Sequence, residues 1–157
     1  MLPPDRDFTV LEFLHTPLDP ADPVAKPRVR LAVLKVRDLL DRILRDEASG
    51  TGAGDHDLAS LARLLARAGA ARGIVPTVSG YGWGWHRDPG EVTRRCFRAV
   101  WSVAQLLTSD DRHRLKCCDG CGALFLDRSR NRSRRWCAME LCGNRERVRA
   151  FRRRGGT

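Results

Sequence analysis

Long apolar runs are missing from this sequence. No stretch approaches the roughly 20 apolar residues that a membrane-spanning helix requires. The opening residues, MLPPDRDFTVLEFLH, also lack the basic segment followed by an apolar one that is typical of a signal peptide. Both absences argue against a membrane or secreted protein, so we expect a cytoplasmic protein that has no membrane partner.

Motifs typical of enzymes are missing as well. The sequence has neither a glycine-rich nucleotide-binding loop nor a nucleophile elbow. Its four histidines are scattered, and none stands in a pattern with Cys, Asp or Glu that would indicate a catalytic set or a second metal site: His15, His56, His86 and His113. We therefore expect no catalytic residues and no enzymatic activity.

Lysine is scarce, and the basic residues, nearly all of them arginine, are unevenly placed. Residues 1–111 contain 15 basic and 15 acidic residues, whereas residues 112–157 contain 14 basic and four acidic ones. The whole net charge of +10 therefore lies in the second segment. This division predicts two domains, 1–111 and 112–157, and it predicts a negatively charged partner for the second.

Hydrophobic spacing predicts that the first domain is mainly helical. Apolar residues recur at the intervals of one helix face. The predicted helices cover residues 28–47, a segment that begins at Asp55 or Asp57, and a segment that is capped by Asp88 and continues through Leu107. The apolar segment 7–16 is predicted to form either a helix or a strand, and the prolines of 17–27 predict a loop.

Residues 74–86 alternate glycine with aromatic and β-branched residues, which predicts a β-hairpin. Tyr81, Trp83 and Trp85 would then share one face of the hairpin. Two interpretations remain open. These aromatics line a pocket for a small molecule, or they form the core of a dimerisation platform; the oligomeric state is not indicated by the sequence.

Cysteines are concentrated in the second domain. Five of the six lie between Cys117 and Cys142, while Cys96 falls on an apolar helix face and is predicted to be a buried thiol. Disulfides are rare in a reducing compartment, so clustered cysteines indicate metal binding. Two pairs of cysteines, CxxC and Cx4C, are separated by fifteen residues. This spacing predicts four metal ligands: Cys118, Cys121, Cys137 and Cys142.

Four thiolates at the corners of a tetrahedron suit one zinc ion, and they leave no open position for a reacting water. We therefore predict a single structural Zn²⁺ as the cofactor. Three alternatives remain: Cys117 replaces Cys118 as the first ligand, the CxxC pair is a redox site, or the cysteines hold an iron–sulfur cluster.

The chain around the cysteines predicts a treble-clef-like zinc finger. Residues 123–127 and 134–136 would form a hairpin that returns Cys137 to the first pair. Residues 143–154 would form a helix with Val148 and Phe151 facing inward. The predicted fold class is thus mainly α (α+β): a helical N-terminal domain with a small β-hairpin, plus this C-terminal finger.

Arginines dominate the finger, and a guanidinium group fits both phosphate and the acceptor edge of guanine. The pattern therefore predicts binding to DNA, most simply to a duplex. RNA, an acidic protein partner and plain solvation are the alternatives. The candidate contacts are Arg128, Arg130, Arg132, Arg134, Arg135, Arg145, Arg149, Arg152 and Arg153. Arg134, Arg149 and Arg153 are the strongest among them, and Trp136 is predicted to pack rather than to stack on a base.

Several segments resemble a known bacterial family. LFLD (124–127), SRN (129–131), RRWC (134–137) and CGNR (142–145) are similar to the CGNR zinc finger. Leu11 to Thr16 resembles the opening motif of the ABATE domain, which usually precedes that finger. The resemblance implies a stress-related transcription regulator that binds DNA through the finger. It also implies that Asn144 and Arg145 fix the start of the finger's helix.

Overall fold

A computed structural model of the chain describes residues 10–16, 26–86 and 88–155. In chain order, its elements are helices α1 (Val10–His15), α2 (Pro27–Ser49) and α3 (Asp55–Ala70), strands β1 (Arg72–Thr77) and β2 (Gly80–Trp85), helix α4 (Glu91–Leu107), a 3-10 helical turn (Asp110–Arg114), strands β3 (Leu115–Cys117) and β4 (Leu124–Leu126), a π-helical turn (Met139–Gly143) and helix α5 (Asn144–Arg153). The predicted fold class is confirmed. Most of the loop predicted for 17–27 lies outside the described residues.

Four helices surround the main hydrophobic core. The periodicity over residues 28–47 is confirmed by α2, in which Leu40, Ile43 and Leu44 are fully buried. Val100 and Val103 of α4 pack into the same core. Each such aliphatic side chain contributes about 1.5–3 kcal/mol when it is buried. Among the described residues, no helix is both long and apolar enough to cross a membrane.

Helix α4 begins two residues later than the sequence predicts. Pro89 is not its first residue, because Gly90 adopts a φ of 78°, a conformation that a helix cannot continue through. The N–H of Gly90 instead donates to Oδ1 of Asp88 at 2.9 Å. Asp88 therefore closes a turn before the helix instead of capping it.

The predicted aromatic hairpin is confirmed. Strands β1 and β2 pair antiparallel, with Ile74 opposite Trp83, and the alternation along β2 places Tyr81, Trp83 and Trp85 on one face. Trp85 stacks on Phe97 of α4, with ring centroids 5.9 Å apart. Tyr81 and Trp83 are 82% and 46% exposed, so the hairpin is anchored to the helices at its base and projects from them.

The second hairpin joins the finger to the helical core. Strands β3 and β4 pair antiparallel, with Leu115 opposite Leu126 and Cys117 opposite Leu124. Strand β3 packs on α2, and both Leu115 and Leu124 belong to the hydrophobic core formed by the helices. The finger is therefore continuous with the helical core.

The strand predicted for residues 134–136 is wrong, because the partner of β4 is β3, which precedes the first cysteine pair. The backbone of residues 132–137, here called the return segment, bonds to side chains instead. The N–H of Arg134 donates to the Asp127 carboxylate at 2.9 Å, and the carbonyl oxygens of Arg132 and Arg134 accept from Nζ of Lys116. These groups are therefore not available for a strand ladder.

Val148 and Phe151 do not face inward as predicted. They are 50% and 58% exposed, because among the described elements α5 makes its main contacts with the π-helical turn alone. Helical spacing correctly placed the two residues on one face of α5 but could not reveal that this face is largely exposed.

Candidate metal centre and nucleic-acid interface

The two cysteine pairs converge at one point. The sulfur atoms of Cys118, Cys121, Cys137 and Cys142 all lie within 4.8 Å of one another, and no other group of three or more metal-ligating side chains is found among the described residues. The first pair comes from the turn that links β3 to β4. Cys137 comes from the return segment, and Cys142 from the π-helical turn.

The turn between Cys118 and Cys121 is shaped by its backbone. The N–H of Gly122 donates to the carbonyl of Cys118 at 2.8 Å, and the N–H of Cys118 donates to the carbonyl of Ala123 at 2.9 Å. Gly122 has a φ of 71°, which favours glycine because a side chain is strained there. This tight turn places both sulfur atoms on the same side.

The distances between the sulfur atoms fit a tetrahedral zinc ion. With zinc–sulfur bonds of about 2.3 Å, the edge of a regular tetrahedron is about 3.8 Å. Sγ of Cys137 lies 3.7 Å from that of Cys121 and 3.8 Å from that of Cys142. The cluster thus holds one structural zinc ion, which these four thiolates would surround completely.

Hydrogen bonds prepare the first ligand for this role. Burial raises the pKa of the Cys118 thiol. Hydrogen bonds donated by the backbone N–H groups of Cys137, Gly120 and Cys121 outweigh this effect, so that the pKa falls to about 6. Neighbouring thiols, chiefly Cys121, together with burial raise the pKa of Cys142 to about 12. A cation between the sulfurs would favour ionisation of the thiols, because cysteine binds a metal as the thiolate.

Cys117 does not replace Cys118 in the cluster. Cys118 is 3% exposed and lies within it, whereas Cys117 ends strand β3 with an exposed side chain. Alternation along an extended chain points neighbouring side chains in opposite directions, so only one of the two can face the metal. Cys96, the remote cysteine, is partly buried against the helical core, and this burial raises its pKa.

The CGNR tetrapeptide forms the junction between the π-helical turn and α5. Gly143 is buried, and a Cβ there would lie 2.4 Å from Sδ of Met139 and 3.6 Å from the Trp136 ring. Nδ2 of Asn144 donates to the carbonyl of Glu140 at 3.2 Å and so ties the first residue of α5 to the turn. Arg145 is exposed and forms no such bond within the described structure.

A buried carboxylate, which the sequence analysis missed, holds the return segment in place. Asp127 is the one charged residue that is fully buried among those described. Its Oδ2 accepts from Nζ of Lys116 at 2.8 Å, and its Oδ1 accepts from the N–H and the hydroxyl of Ser129 at 3.0 and 2.6 Å. Burial raises the pKa of Asp127, but these donors outweigh it and hold the pKa well below its usual range.

Two signals in the sequence could have identified this pair. Lys116 is the only lysine in an otherwise arginine-only basic segment, and a compact ammonium with three donors suits several acceptors converging at one point. Asp127 directly follows an apolar strand and stands two residues before a serine, a spacing that is typical of an Asx-turn.

The candidate arginines divide into two groups. The first group is engaged within the finger. Arg134 donates to the carbonyl of Cys137 at 2.9 Å, Arg135 pairs with Asp119 at 2.7 Å, and Arg149 pairs with Glu146 at 2.5 Å. Two of the three strongest candidates, Arg134 and Arg149, thus have structural partners.

The second group is exposed, and its side chains form no hydrogen bond or ion pair within the described part of the chain. These residues are Arg128, Arg130, Arg132, Arg145, Arg152 and Arg153. The first three lie in the loop after β4 and the other three on α5. Trp136 is half-buried and packs against the cysteine cluster, as expected.

Tyr81, Trp83 and Trp85 line none of the described cavities. One cavity at the base of the hairpin is lined by His86, Pro89 and Phe97 among others. The pocket assigned to the three aromatics remains a prediction.

Comparison with known families agrees with this architecture. Residues 114–155 match the CGNR zinc finger. Residues 8–110 match the ABATE domain, which is described as "Putative stress-induced transcription regulator". The chain belongs to the ABATE family and carries a CGNR zinc finger. The comparison with curated proteins finds no match. In this ABATE protein, the two matched segments stand in the order that the sequence resemblance implied, and the CGNR finger contains all four clustered cysteines.

Proposed function

We propose that this protein regulates transcription in the bacterial cytoplasm by binding duplex DNA through its CGNR finger. The observation that supports this proposal is the group of six exposed arginines without partners on a frame fixed by zinc and by Asp127. A guanidinium group that is already exposed and unpaired can bind phosphate without first breaking a protein contact.

The proposal includes no catalytic role for the zinc. Four thiolates leave no position for a water or a substrate, and the closest histidine in the sequence, His113, precedes the cysteine cluster. The metal would instead fix the loop after β4 and helix α5 relative to each other. The exposed arginines of the loop and those of α5 would then contact the same duplex.

The test measures binding of the zinc-loaded protein to duplex DNA, duplex RNA and single-stranded DNA over a series of salt concentrations. Each phosphate contact lowers the logarithm of the binding constant by about 0.9 per tenfold increase in salt for duplex DNA. We expect the steepest dependence and the tightest binding for duplex DNA, and we expect loss of binding when the zinc is chelated.

Matched variants locate the surface. Arg145→Ala with Arg152→Ala should reduce the salt slope by about 2 if each side chain contacts one phosphate. Arg28→Ala with Arg30→Ala removes the same charge from exposed positions of α2 and should leave the slope unchanged. Tighter binding to RNA, or binding to none of the three nucleic acids at low salt, would contradict the proposal. The second outcome would favour an acidic protein partner.

A further inference from the structure

One face of helix α5 exposes apolar side chains beside two of the unpaired arginines. Val148 and Phe151 are 50% and 58% exposed. Arg145 lies three residues before Val148, and Arg152 lies four residues after it, so all four share one side of the helix. Leu141, in the π-helical turn just before α5, is also exposed, at 67%.

The other side of α5 faces the rest of the finger across a cleft. Glu146 and Ala150 line this cleft of about 380 Å³ together with Asp119, Arg135 and Trp136. The helix therefore presents one side to the finger and leaves the side with Val148 and Phe151 for a partner.

Charge decides what kind of partner fits this side. Pairing the same side of two copies would bring Arg145 and Arg152 of each copy together, and like charges at short range repel. The only acidic residue of α5, Glu146, is already paired with Arg149 and lines the cleft. The partner should therefore be strongly negative and should also offer apolar groups that Val148 and Phe151 can cover.

The major groove of DNA has both properties. It admits an α-helix between two rows of phosphates, and each thymine presents a 5-methyl group there. Resting on the function proposed above, we propose that α5 enters the major groove and that Val148 and Phe151 contact thymine methyl groups. Arg145 and Arg152 would flank them and bind phosphate or guanine.

Two alternating polymers test this proposal without knowledge of a target sequence. Poly(dA-dT) and poly(dA-dU) differ only in the 5-methyl group of the pyrimidine. Burial of one methyl-sized group contributes a factor of about four in affinity. We therefore expect the full-length, zinc-loaded protein to bind poly(dA-dT) at least about fourfold more tightly than poly(dA-dU).

Variants assign this preference to the helix. Val148→Ala with Phe151→Ala should bring the ratio of the two affinities close to one while zinc content and salt slope stay unchanged. Leu31→Ala is the control, since Leu31 is 53% exposed on α2, away from the finger, and its loss should leave the ratio unchanged.

Three outcomes would overturn the proposal. If the wild-type protein binds both polymers equally, α5 does not contact thymine methyl groups, although DNA binding itself still stands. If the double variant keeps the preference but lowers the mass measured by sedimentation, the apolar face joins two copies. If neither polymer is bound at low salt, the proposed function fails together with this inference.

Discussion

The helical region and the zinc finger are stabilised in different ways. The helical region buries aliphatic side chains, such as Leu40 and Val103, that are completely removed from solvent. The finger has two strands of three residues each, a cluster of four cysteines of which Cys118 and Cys142 are buried, and the buried charge of Asp127. The first region depends on apolar burial, and the second depends on metal coordination and a bonded ion pair.

This difference explains how the charge is distributed. A short segment cannot bury enough apolar surface to fold by that means alone, so a structural metal supplies the missing stability. Once zinc holds the finger together, its outer surface needs few apolar residues and can carry arginines such as Arg130 and Arg153. The helical region has no such support, and its surface charges are balanced.

Removal of one zinc ligand should have the largest effect and should separate the two regions. Structural zinc contributes roughly 10–16 kcal/mol to the folding of zinc-finger peptides at neutral pH. Cys137→Ala should therefore abolish stoichiometric zinc binding and unfold residues 118–153, while α2 and α4 keep their helical structure. Metal analysis and circular dichroism measure the two effects.

Cys117→Ala is the matched control, because Cys117 is exposed and lies outside the cluster. This variant should keep one zinc ion per chain. A Cys137→Ala protein that is free of zinc but retains a folded finger would show that the metal is not structural.

Substitution of two neighbouring residues of β4 should distinguish the hydrophobic core of the helices from the smaller core around the cysteines. Leu124 is 2% exposed and packs with the helices, whereas Phe125 is 7% exposed and packs with Cys118 and Cys142. Leu124→Ala should lower the free energy of unfolding of the helical region by about 2–5 kcal/mol. Phe125→Ala should chiefly speed the release of zinc to a chelator. Equal effects of both variants on both measurements would mean that the cores are not distinct.

Loss of the buried carboxylate should weaken zinc binding without touching a ligand. Asp127→Asn removes the negative charge that faces Lys116, and the return segment that carries Cys137 then loses its anchor. Outer-shell partners that bond a ligand directly contribute about 10- to 100-fold to metal affinity, and because Asp127 acts through the return segment we expect about a 10-fold loss. Competition with a chelator measures the change. Asp119→Asn is the control, since its pair with Arg135 is exposed and should matter little.

The smallest effect should come from a contact between the regions. Nη1 of Arg45 in α2 donates to the carbonyl of Gly122 at 3.0 Å. Arg45→Met should speed zinc release about twofold, which corresponds to the roughly 0.5 kcal/mol typical of an exposed charged contact. Arg42→Met removes a comparable ion pair, with Asp57, that does not reach the finger, and it should leave the release rate unchanged.

Local patterns were sufficient to predict much of this structure. The period of Val33, Leu40 and Ile43 predicted α2, since a helix is determined by neighbours within a few residues. The spacing of the cysteines predicted the metal cluster, because zinc accepts few ligand geometries. Both predictions depend on short distances along the chain.

Apart from the start of α4, which Gly90 delays, the wrong predictions concern contacts between distant segments. A three-residue strand such as Leu115–Cys117 is too short to have a readable period, so its pairing with β4 could not be inferred. The hydrogen bonds from Lys116 to the return segment, 16 and 18 residues further along, have no local signature either. The exposure of Phe151 depends on the absence of a neighbour, which no pattern within α5 can express.

The shared core has a consequence for any fragment of this protein. A fragment comprising residues 112–157 would bring with it one half of a packed surface, since Leu115 and Leu124 are covered by the helices only in the intact chain. Such a peptide would expose both side chains to water and would tend to associate through them. The orientation of the arginines relative to the helices would also be lost. The finger therefore keeps a fixed orientation only while the helical region is attached to it.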